Sequence, residues 1–277
     1  MRINREVLQL PRAIEPDCEI FAIGDIHGRS DLLDALLQQA AREPHRASRR
    51  IIFTGDLVDR GPDSLGALAL AAQANARIDA DETIALMGNH EILMRLALDP
   101  STPPKSAMDA LSVWVGNGGE AVIEELLGPA APWGNARRLL RALREAAPPP
   151  VLDWLAALKA HAFSGGVLFV HAGVNPTIQL EEFLAEPWDA PLASLDEDLH
   201  WAWVRGPFLD HDPGERGFSG YFVVHGHTPL DRGHTRSHAE QVRRFRINLD
   251  GGSAMTGMAK MAILRGSLAE IVTAEAN

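Results

Sequence analysis

The sequence predicts an α/β fold, and three observations support this prediction. Short apolar runs typical of buried strands occur at 19–23, 50–54 and 83–87. Helix-like segments lie between them: one begins at Ser30, which we expect to be its N-cap, and another begins at Pro62. The strand starts recur about every 30 residues, the size of a βαβ unit. The first third is therefore predicted to be β-α-β-α-β with parallel strands.

In the rest of the chain, the predicted secondary structure changes twice. Residues 92–160 are rich in Ala and Leu with Pro-rich breaks, which indicates a helical insertion or cap. Strand-like runs then resume at 167–170, 221–224, 243–249 and 260–264. We expect a loop at 210–220 and a β-hairpin loop at 231–241 that contains His234 and His238. The prediction is one domain over 1–277.

Composition limits the kinds of partner. The net charge of −11 argues against a general binder of nucleic acids or membrane surfaces, because both are polyanionic. Cys18 is the only cysteine, so no internal disulfide is possible, as suits a reducing cytosol. We see no secretory signal and no apolar run of the ~20 residues that span a bilayer. The expectation is a cytoplasmic protein with no nucleic-acid or membrane partner.

Polar clusters follow five of the predicted strands, each beside a glycine. Because the carboxyl ends of parallel strands share one edge of a sheet, these side chains are expected to meet. Each cluster alone is compatible with an ordinary strand-end turn, and Asp59 with Arg60 alone is compatible with a helix N-terminus. Their joint occurrence favours a metal site. The candidates are Asp25, His27, Asp56, Asn89, His90, His171 and His227.

The residue types indicate which metals are suitable. Asp25 and His27 are two apart, so in extended backbone both side chains lie on one face. The carboxylate of Asp56 has two oxygens and can bridge two cations. The mixture of oxygen and nitrogen donors suits Mn²⁺, Fe or Zn²⁺ better than Ca²⁺.

The order of these motifs resembles the calcineurin-like metallophosphoesterases, and among them the phosphoprotein-phosphatase branch with its small bacterial and phage-type Ser/Thr phosphatases. The motifs are GDIHG, GDLVDRG, GNHE, HAG and HGHT, and they span about 21–252. The resemblance implies a four-layer fold in which helices flank a central β-sandwich. In the wider superfamily another His often ends the last motif. Pro229 stands there in this chain, and because the phosphatase branch also lacks that His, the difference favours this branch.

The resemblance also implies a role for each motif residue. Asp25 and His27 would hold a first divalent ion, and Asp56 would bridge it to a second. The second ion would be held by Asn89, His171 and His227. We expect Mn²⁺, with Fe, Zn²⁺, Ni²⁺ or Mg²⁺ as alternatives. His90 would be the general acid, oriented by Asp59. Phosphate would be bound by Arg60, Asn89 and Arg205, whereas His225 is expected to be structural.

Two ions about 3.5–4 Å apart can generate a hydroxide at neutral pH for in-line attack on phosphorus. The expected function is therefore a metal-dependent phosphomonoesterase, similar to Ser/Thr protein phosphatases, acting on a phosphorylated protein, a peptide or a small phosphoester. One alternative is a symmetrical dinucleoside tetraphosphate hydrolase, from a sister branch in which the residue at Asp59 is often replaced. Another is a non-catalytic binding module, which predicts lost ligand positions.

Two features of the insert have two interpretations each. Trp114 with Asn117-Gly118-Gly119-Glu120 resembles an element of some bacterial phosphatases and is either a helix C-cap or a cap edge that faces substrate. A run of basic residues is either an exposed helix face or a surface that attracts phosphorylated substrates. That run contains Arg137, Arg138, Arg141 and Arg144.

Overall fold

The computed structural model describes residues 1–229 and 237–276, and its strands form two sheets. One sheet has the order β1-β10-β9-β2-β3-β4, and the other has the order β5-β6-β7-β8. The strands are β1 (Arg2–Gln9), β2 (Cys18–Ile23), β3 (Ser48–Phe53), β4 (Glu82–Ala85), β5 (His161–Ser164), β6 (Val167–Val170), β7 (Phe222–His225), β8 (Arg246–Asn248), β9 (Met258–Arg265) and β10 (Leu268–Glu275).

Helices lie between and around these strands, and a kinked turn at Val115–Gly119, with non-helical backbone at Gly118, joins the helix Pro104–Trp114 to the helix Glu120–Leu127. They are α1 (Ser30–Ala41), α2 (Ser64–Ala72), α3 (Ala74–Ile78), α4 (Asn89–Leu98), α5 (Pro104–Trp114), α6 (Glu120–Leu127), α7 (Ala136–Ala146), α8 (Pro149–Ala157), α9 (Leu180–Leu184), α10 (Gly206–Leu209), α11 (His238–Arg243) and α12 (Ser253–Thr256). Among the described residues, none of these helices has the length and apolar character that crossing a membrane requires.

The two sheets pack as a sandwich, and the alternation of side chains along β2 shows how. Ile20 and Ala22 join an apolar cluster with Leu168 of β6 and Val223 of β7 in the other sheet. Phe21, between them, belongs to a second cluster with the helices. Because successive side chains of a strand point to opposite faces, the first sheet buries one face on the second sheet and the other on helices. The predicted fold class is confirmed.

The predicted β-α-β-α-β unit is present, with β2, β3 and β4 parallel. Strands β1, β5 and β10 were not predicted. β1 is an edge strand whose side chains are mostly exposed, so it shows no apolar run, and it pairs with β10 along its whole length. The strand expected at 243–249 is shorter, because α11 occupies its first residue.

Residues 92–160 are helical, as expected, but they are not packed apart from the sheet. Leu93 of α4, Trp114 of α5 and Leu143 of α7 lie in the same apolar cluster as Phe21 and Phe53 of the first sheet. The predicted single domain with an insert at 92–160 stays a prediction about domain organisation.

Three local predictions are wrong. Ser30 is the first helical residue and not the N-cap, and its hydroxyl donates to Asp63. The next helix begins at Ser64 rather than Pro62, because the Asp63 side chain caps it by accepting from the Gly66 N–H at 3.0 Å. The hairpin loop expected at 231–241 is a helix from His238 onward, capped by Ser237; residues 231–236, with His234, lie outside the described residues.

Candidate active site

The predicted polar residues converge where the carboxyl edges of the two sheets meet. Among the described residues, two groups of three side chains bring their ligand atoms within 4.8 Å of one another. His27 and His90 form one group with Asp56, and His171 and His227 form the other with the same Asp56. All five residues are buried. Asp56 is therefore shared by two closely spaced sets of donor atoms.

Oδ2 of Asp56 is the centre of this arrangement. It lies 3.4 Å from Nε2 of His171, 3.7 Å from Nε2 of His27 and 3.9 Å from Nε2 of His90. The Asn89 side chain extends the second group, since its Oδ1 lies 3.2 Å from Nε2 of His171 and 2.9 Å from Nδ1 of His227. The second predicted ligand set is thus assembled in space.

Asp25 has a different environment from the one predicted. Its Oδ2 accepts a 2.9 Å hydrogen bond from the backbone N–H of His227, and in the described part of the chain it joins neither close group. Its Oδ1 is buried and has no hydrogen-bond partner among the described residues. A β-carbon at Gly226 would lie 1.8 Å from this oxygen, so only glycine leaves room for the carboxylate.

The imidazole rings are oriented through their other nitrogen. Nδ1 of His27 lies 2.9 Å from the Val58 carbonyl, and Nδ1 of His171 lies 2.8 Å from the Thr54 carbonyl. A backbone acceptor at Nδ1 fixes the proton there and leaves the Nε2 lone pair for a ligand, as in most histidine metal sites. Burial lowers the pKa of His27 to about 3 and that of His227 well below its ordinary value, so both rings are neutral.

The carboxylates crowd the same space. Burial, followed by the charges of Asp250 and Asp56, raises the pKa of Asp25 well above its ordinary value. Although burial opposes it, the neighbouring imidazoles of His171 and His90 hold the pKa of Asp56 well below its ordinary value. Divalent cations would relieve this repulsion and give the unpartnered oxygen of Asp25 a partner. The donor set therefore fits metal ions.

Beside this cluster lies the predicted acid pair. Nδ1 of His90 lies 2.6 Å from Oδ2 of Asp59, and both side chains are buried. The Trp114 indole N–H lies 2.9 Å from Oδ1 and 2.8 Å from Oδ2 of the same carboxylate. Burial raises the pKa of Asp59 well above its ordinary value, and the hydrogen bond from Trp114 opposes that rise.

The guanidinium of Arg60 bridges the imidazole rings of His27 and His90. Its Nη1 donates to Nε2 of His27 at 2.7 Å, and its Nη2 donates to Nε2 of His90 at 2.8 Å. The backbone N–H of Arg60 donates to the Gly118 carbonyl at 3.0 Å, and its Nε to the Asn117 carbonyl at 3.3 Å. Helix α5 ends at Trp114, and the turn Val115–Gly119 that follows breaks the helical path at Gly118, whose φ of 100° fits the interpretation as a helix C-terminus with a left-handed glycine. The same turn is docked on the Arg60 loop.

Arg205 lies at the rim. Its side chain is 46% exposed, and its Nη1 lies 3.3 Å from Oε2 of Glu197. Its charge is among the causes that lower the pKa of His227, after burial and His171, so it lies within electrostatic reach of the cluster. Two residues earlier in the chain, the Trp203 carbonyl lies 3.2 Å from Nε2 of His227.

A sequence model of the calcineurin-like phosphoesterases matches residues 19–252. The chain belongs to this family. Curated relatives agree with that membership. A symmetrical bis(5'-nucleosyl)-tetraphosphatase of Dechloromonas aromatica is 34% identical over 205 residues, which cover 67% of this chain and 62% of that relative. Its counterpart in Pseudomonas fluorescens is 27% identical over 195 residues, covering 70% and 56%.

A serine/threonine-protein phosphatase 1 of Salmonella typhimurium is 35% identical over 101 residues, covering 36% of this chain and 39% of the relative. The chain therefore spans between 39% and 62% of the length of these three relatives. A cold-active protein-tyrosine phosphatase of a psychrophilic Shewanella has the same fold, with a TM-score of 0.56, 20% identity and coverage of 92% of this chain and 79% of its own. The predicted family is confirmed.

Two buried carboxylates near the cluster have no role predicted from the sequence. Glu91 accepts backbone hydrogen bonds from Leu57 at 2.7 Å, from Asp56 at 2.8 Å and from Gly88 at 3.0 Å, so it joins two of the polar clusters. Burial raises its pKa to about 7. Its position three residues after Gly88, typical of a capping box, was the available signal.

Asp250 is the second such carboxylate. It follows strand β8, is buried, and accepts from the Gly252 N–H at 2.8 Å. Burial raises its pKa to about 6, and its charge is the second cause of the raised pKa of Asp25. Asp250-Gly251-Gly252 has the same pattern as the five recognised strand ends, a polar residue beside glycine after a strand.

The backbone is strained at several residues that carry these side chains. His27, Asp56, Asp59, Arg60 and His227 all have positive φ values, between 45° and 75°. A non-glycine residue in this region costs about 1–3 kcal/mol, and such residues cluster at functional sites. The fold therefore maintains an unfavourable backbone in order to direct these side chains into one cluster.

Two remaining expectations concern residues outside the cluster. His225 packs on the Phe208 ring at a centroid distance of 4.9 Å, its Nδ1 lies 3.0 Å from the Gly226 carbonyl, and burial lowers its pKa to about 3, which fits a structural residue. In the basic run, Arg137, Arg138 and Arg141 are exposed. Arg144 instead donates to the Ala97 and Asp99 carbonyls at the end of α4, at 2.9 and 2.8 Å.

Proposed function

We propose that this chain is a metal-dependent phosphomonoesterase of the Ser/Thr protein-phosphatase type. One observation carries the proposal: the buried carboxylate of Asp56 lies between two separate groups of imidazole nitrogens, with an acid pair beside one group. A shared carboxylate between two donor sets is the arrangement that a two-metal phosphoesterase requires.

We assign the ligands as the resemblance implied. Asp25 and His27 would hold one ion, and Asn89 with His171 and His227 the other, while Asp56 would serve both. The bound cations would polarise the phosphoryl group and lower the pKa of a water molecule, and Mn²⁺ is our preferred identity. The unpartnered Oδ1 of Asp25 supports its assignment, although it joins neither close group.

The phosphate would be held by Arg60, Arg205 and Asn89. A guanidinium presents several donors in a planar fork that matches phosphate oxygens. Arg60 already lies over the two imidazoles, so it has to release the Nε2 atom of His27 when that atom binds an ion. We therefore propose that the Arg60 fork transfers its hydrogen bonds to the phosphate.

His90 would donate a proton to the leaving oxygen. An arginine can only donate, so the bond from Arg60 requires an unprotonated Nε2, and the ring proton is on Nδ1 toward Asp59. With Nδ1–H held by Asp59, Nε2 is the atom available to carry a second proton to the substrate. An alkoxide leaving group needs this help, because it is a strong base.

A phosphorylated protein or peptide is the partner that we propose. The intact acid pair supports this choice, since the serine or threonine alkoxide is a poor leaving group. A cytoplasmic location is part of the same proposal. It is supported by the single cysteine, Cys18, which is free and buried.

The second candidate function is symmetrical hydrolysis of dinucleoside tetraphosphates, and the names of the relatives in Dechloromonas and Pseudomonas favour it. Its leaving group is a nucleoside diphosphate, which departs as a weak base and depends less on an acid. Product analysis after incubation with diadenosine tetraphosphate tests it. Rapid formation of ADP alone supports this function, and AMP with ATP contradicts it.

Metal analysis tests the proposed function itself. The protein is stripped with a chelator, Mn²⁺ is added back, and bound metal and p-nitrophenyl phosphate hydrolysis are measured together. We expect about two ions per chain and recovery of hydrolysis with the second ion. A metal content well below one per chain with no Mn²⁺-stimulated hydrolysis would instead support a non-catalytic binding module.

A further inference from the structure

We infer that Trp114, from the helical region 92–160, is a positioning residue for the acid pair: its indole N–H holds the Asp59 carboxylate in the orientation that receives Nδ1–H of His90. This inference rests on the proposed function. It adds a residue of the insert to the reaction, and thereby gives that insert a role in catalysis.

The hydrogen bonds of Asp59 carry the argument. Its carboxylate is completely buried, and in the described part of the chain the side-chain donors that reach it are His90 and the indole of Trp114. The nearby guanidinium of Arg60 donates instead to His27 and His90. The indole N–H bridges both oxygens of the carboxylate, so it fixes the rotation of the group about its last bond. Without this bond Oδ1 would lose the one side-chain donor that it has among the described residues, and the carboxylate could turn away from His90.

An indole is suited to this task. Its nitrogen can donate and cannot accept, so it does not compete with Asp59 for the imidazole proton. Trp114 is also completely buried, and its ring is held by packing rather than by solvent-exposed contacts. A neutral donor adds no charge of its own beside Asp59, whereas an arginine in this place would compensate the charge of the carboxylate.

Two adjacent glycines follow Trp114 in the chain, and the second leaves room for its indole ring. A β-carbon at Gly119 would lie 2.5 Å from Cδ1 and Nε1 of the indole, so this position must be glycine. Gly118 has a φ of 100°, which glycine adopts without strain, and its carbonyl then accepts from Arg60. The same turn therefore positions the carboxylate that orients the acid and the backbone of the arginine proposed to bind phosphate.

The dependence on leaving group distinguishes positioning from a general structural role. Trp114→Phe keeps an aromatic ring and removes the donor. A matched control is Trp154→Phe, since the Nε1 of Trp154 is buried with no hydrogen-bond partner among the described residues. Both variants and the wild type, loaded with Mn²⁺, are assayed for kcat on a phosphoserine peptide and on p-nitrophenyl phosphate, whose nitrophenolate leaves without an acid.

We expect Trp114→Phe to lower kcat about 10-fold or more on the phosphoserine peptide and about threefold or less on p-nitrophenyl phosphate. Trp154→Phe should leave both rates unchanged. Equal losses on the two substrates, or no loss on either, would overturn the inference. If Trp114→Phe does not fold, Gly119→Ala is used in the same assay, because its β-carbon displaces the indole, and the same pattern is expected.

A readout independent of turnover separates this inference from the proposed function. In the metal-free protein, the His90 Nδ1–H proton is observed by NMR, and the six tryptophans give separate indole signals for assignment. Trp114→Phe should shift the Nδ1–H resonance, and Trp154→Phe should not. An unchanged resonance in Trp114→Phe overturns the inference. A wild type that fails to hydrolyse the phosphoserine peptide contradicts the proposed function, and the resonance still decides the role of Trp114.

Discussion

Nδ1 of His90 lies 2.6 Å from Oδ2 of Asp59, with both side chains excluded from solvent. An arginine can donate a hydrogen bond but cannot accept one, so the bond from Arg60 requires Nε2 of His90 to be unprotonated. The proton between His90 and Asp59 therefore resides on Nδ1 of the imidazole. A buried carboxylate that accepts this proton orients the ring and stabilises its protonated form. The pair therefore links the position of the acid to the loop that carries Asp59.

Replacing the acid should slow the chemical step. We expect His90→Asn to lower kcat on an alkyl phosphate by about 100-fold or more, the range for loss of general acid catalysis, with metal content retained. Steady-state kinetics and elemental analysis measure the two effects separately. The exposed His45→Asn serves as a control for the substitution. Near-wild-type rates of His90→Asn on an alkyl phosphate would remove His90 from the role of acid.

Removing the charge of the shared carboxylate should have a different result. Asp56→Asn deletes the negative charge that we assign to both ions, so metal binding should weaken and hydrolysis should fall below detection. Isothermal titration with Mn²⁺ checks the binding, with the exposed Asp153→Asn as control. Wild-type metal affinity in Asp56→Asn would contradict the assignment of Asp56 as the shared ligand.

Gly226 should tolerate no side chain, although it is not itself a ligand. A β-carbon there would lie 1.8 Å from Oδ1 of Asp25, so Gly226→Ala must displace that carboxylate. We expect fewer bound ions per chain and a large loss of kcat, measured by elemental analysis and p-nitrophenyl phosphate turnover. Gly134→Ala is the matched control, because its β-carbon would meet no atom within 4 Å. Full metal content in Gly226→Ala would exclude Asp25 as a ligand.

His200 makes the stability depend on pH. It is completely buried, its Nδ1 accepts from the Ala202 N–H at 3.1 Å, and burial lowers its pKa to about 4. The unfolded chain has a histidine pKa of about 6.5, so it binds the proton first as the pH falls. Stability is therefore lost between about pH 6.5 and pH 4, by up to ~1.4 kcal/mol per pH unit from this group.

Urea unfolding from about pH 7 to about pH 5 measures this dependence. His200→Gln removes the titrating group, so its free energy of unfolding should vary less steeply with pH than that of the wild type. The exposed His45→Gln should keep the wild-type slope. An unchanged slope in His200→Gln would show that His200 does not contribute.

The strand-end motifs could be predicted because their chemistry and spacing are local. Asp25, Asp56 and His171 each lie within three residues of the end of an apolar strand, and parallel strands bring such ends together whatever lies between them. The edge strand β1 could not be predicted in this way. It is stabilised by pairing with β10, more than 250 residues later in the chain, and its own side chains are mostly exposed.

The role that we infer for Trp114 could not be predicted from the local sequence either. Its partner Asp59 lies 55 residues earlier in the chain, and a single tryptophan in a helical region is most often a core residue. It is a core residue here as well, completely buried in the apolar cluster. Only the structure shows that its one polar atom points at a carboxylate. Hydrogen bonds between distant segments leave no periodic signal in a sequence.

A direct comparison of substrates tests the central proposal. The Mn²⁺-loaded protein is assayed with a phosphoserine peptide and with diadenosine tetraphosphate, and kcat/KM is determined for both under one set of conditions. The presence of the His90–Asp59 acid pair predicts that the phosphopeptide has the higher kcat/KM. A preference for the dinucleotide by orders of magnitude would contradict the phosphomonoesterase assignment and favour the tetraphosphatase.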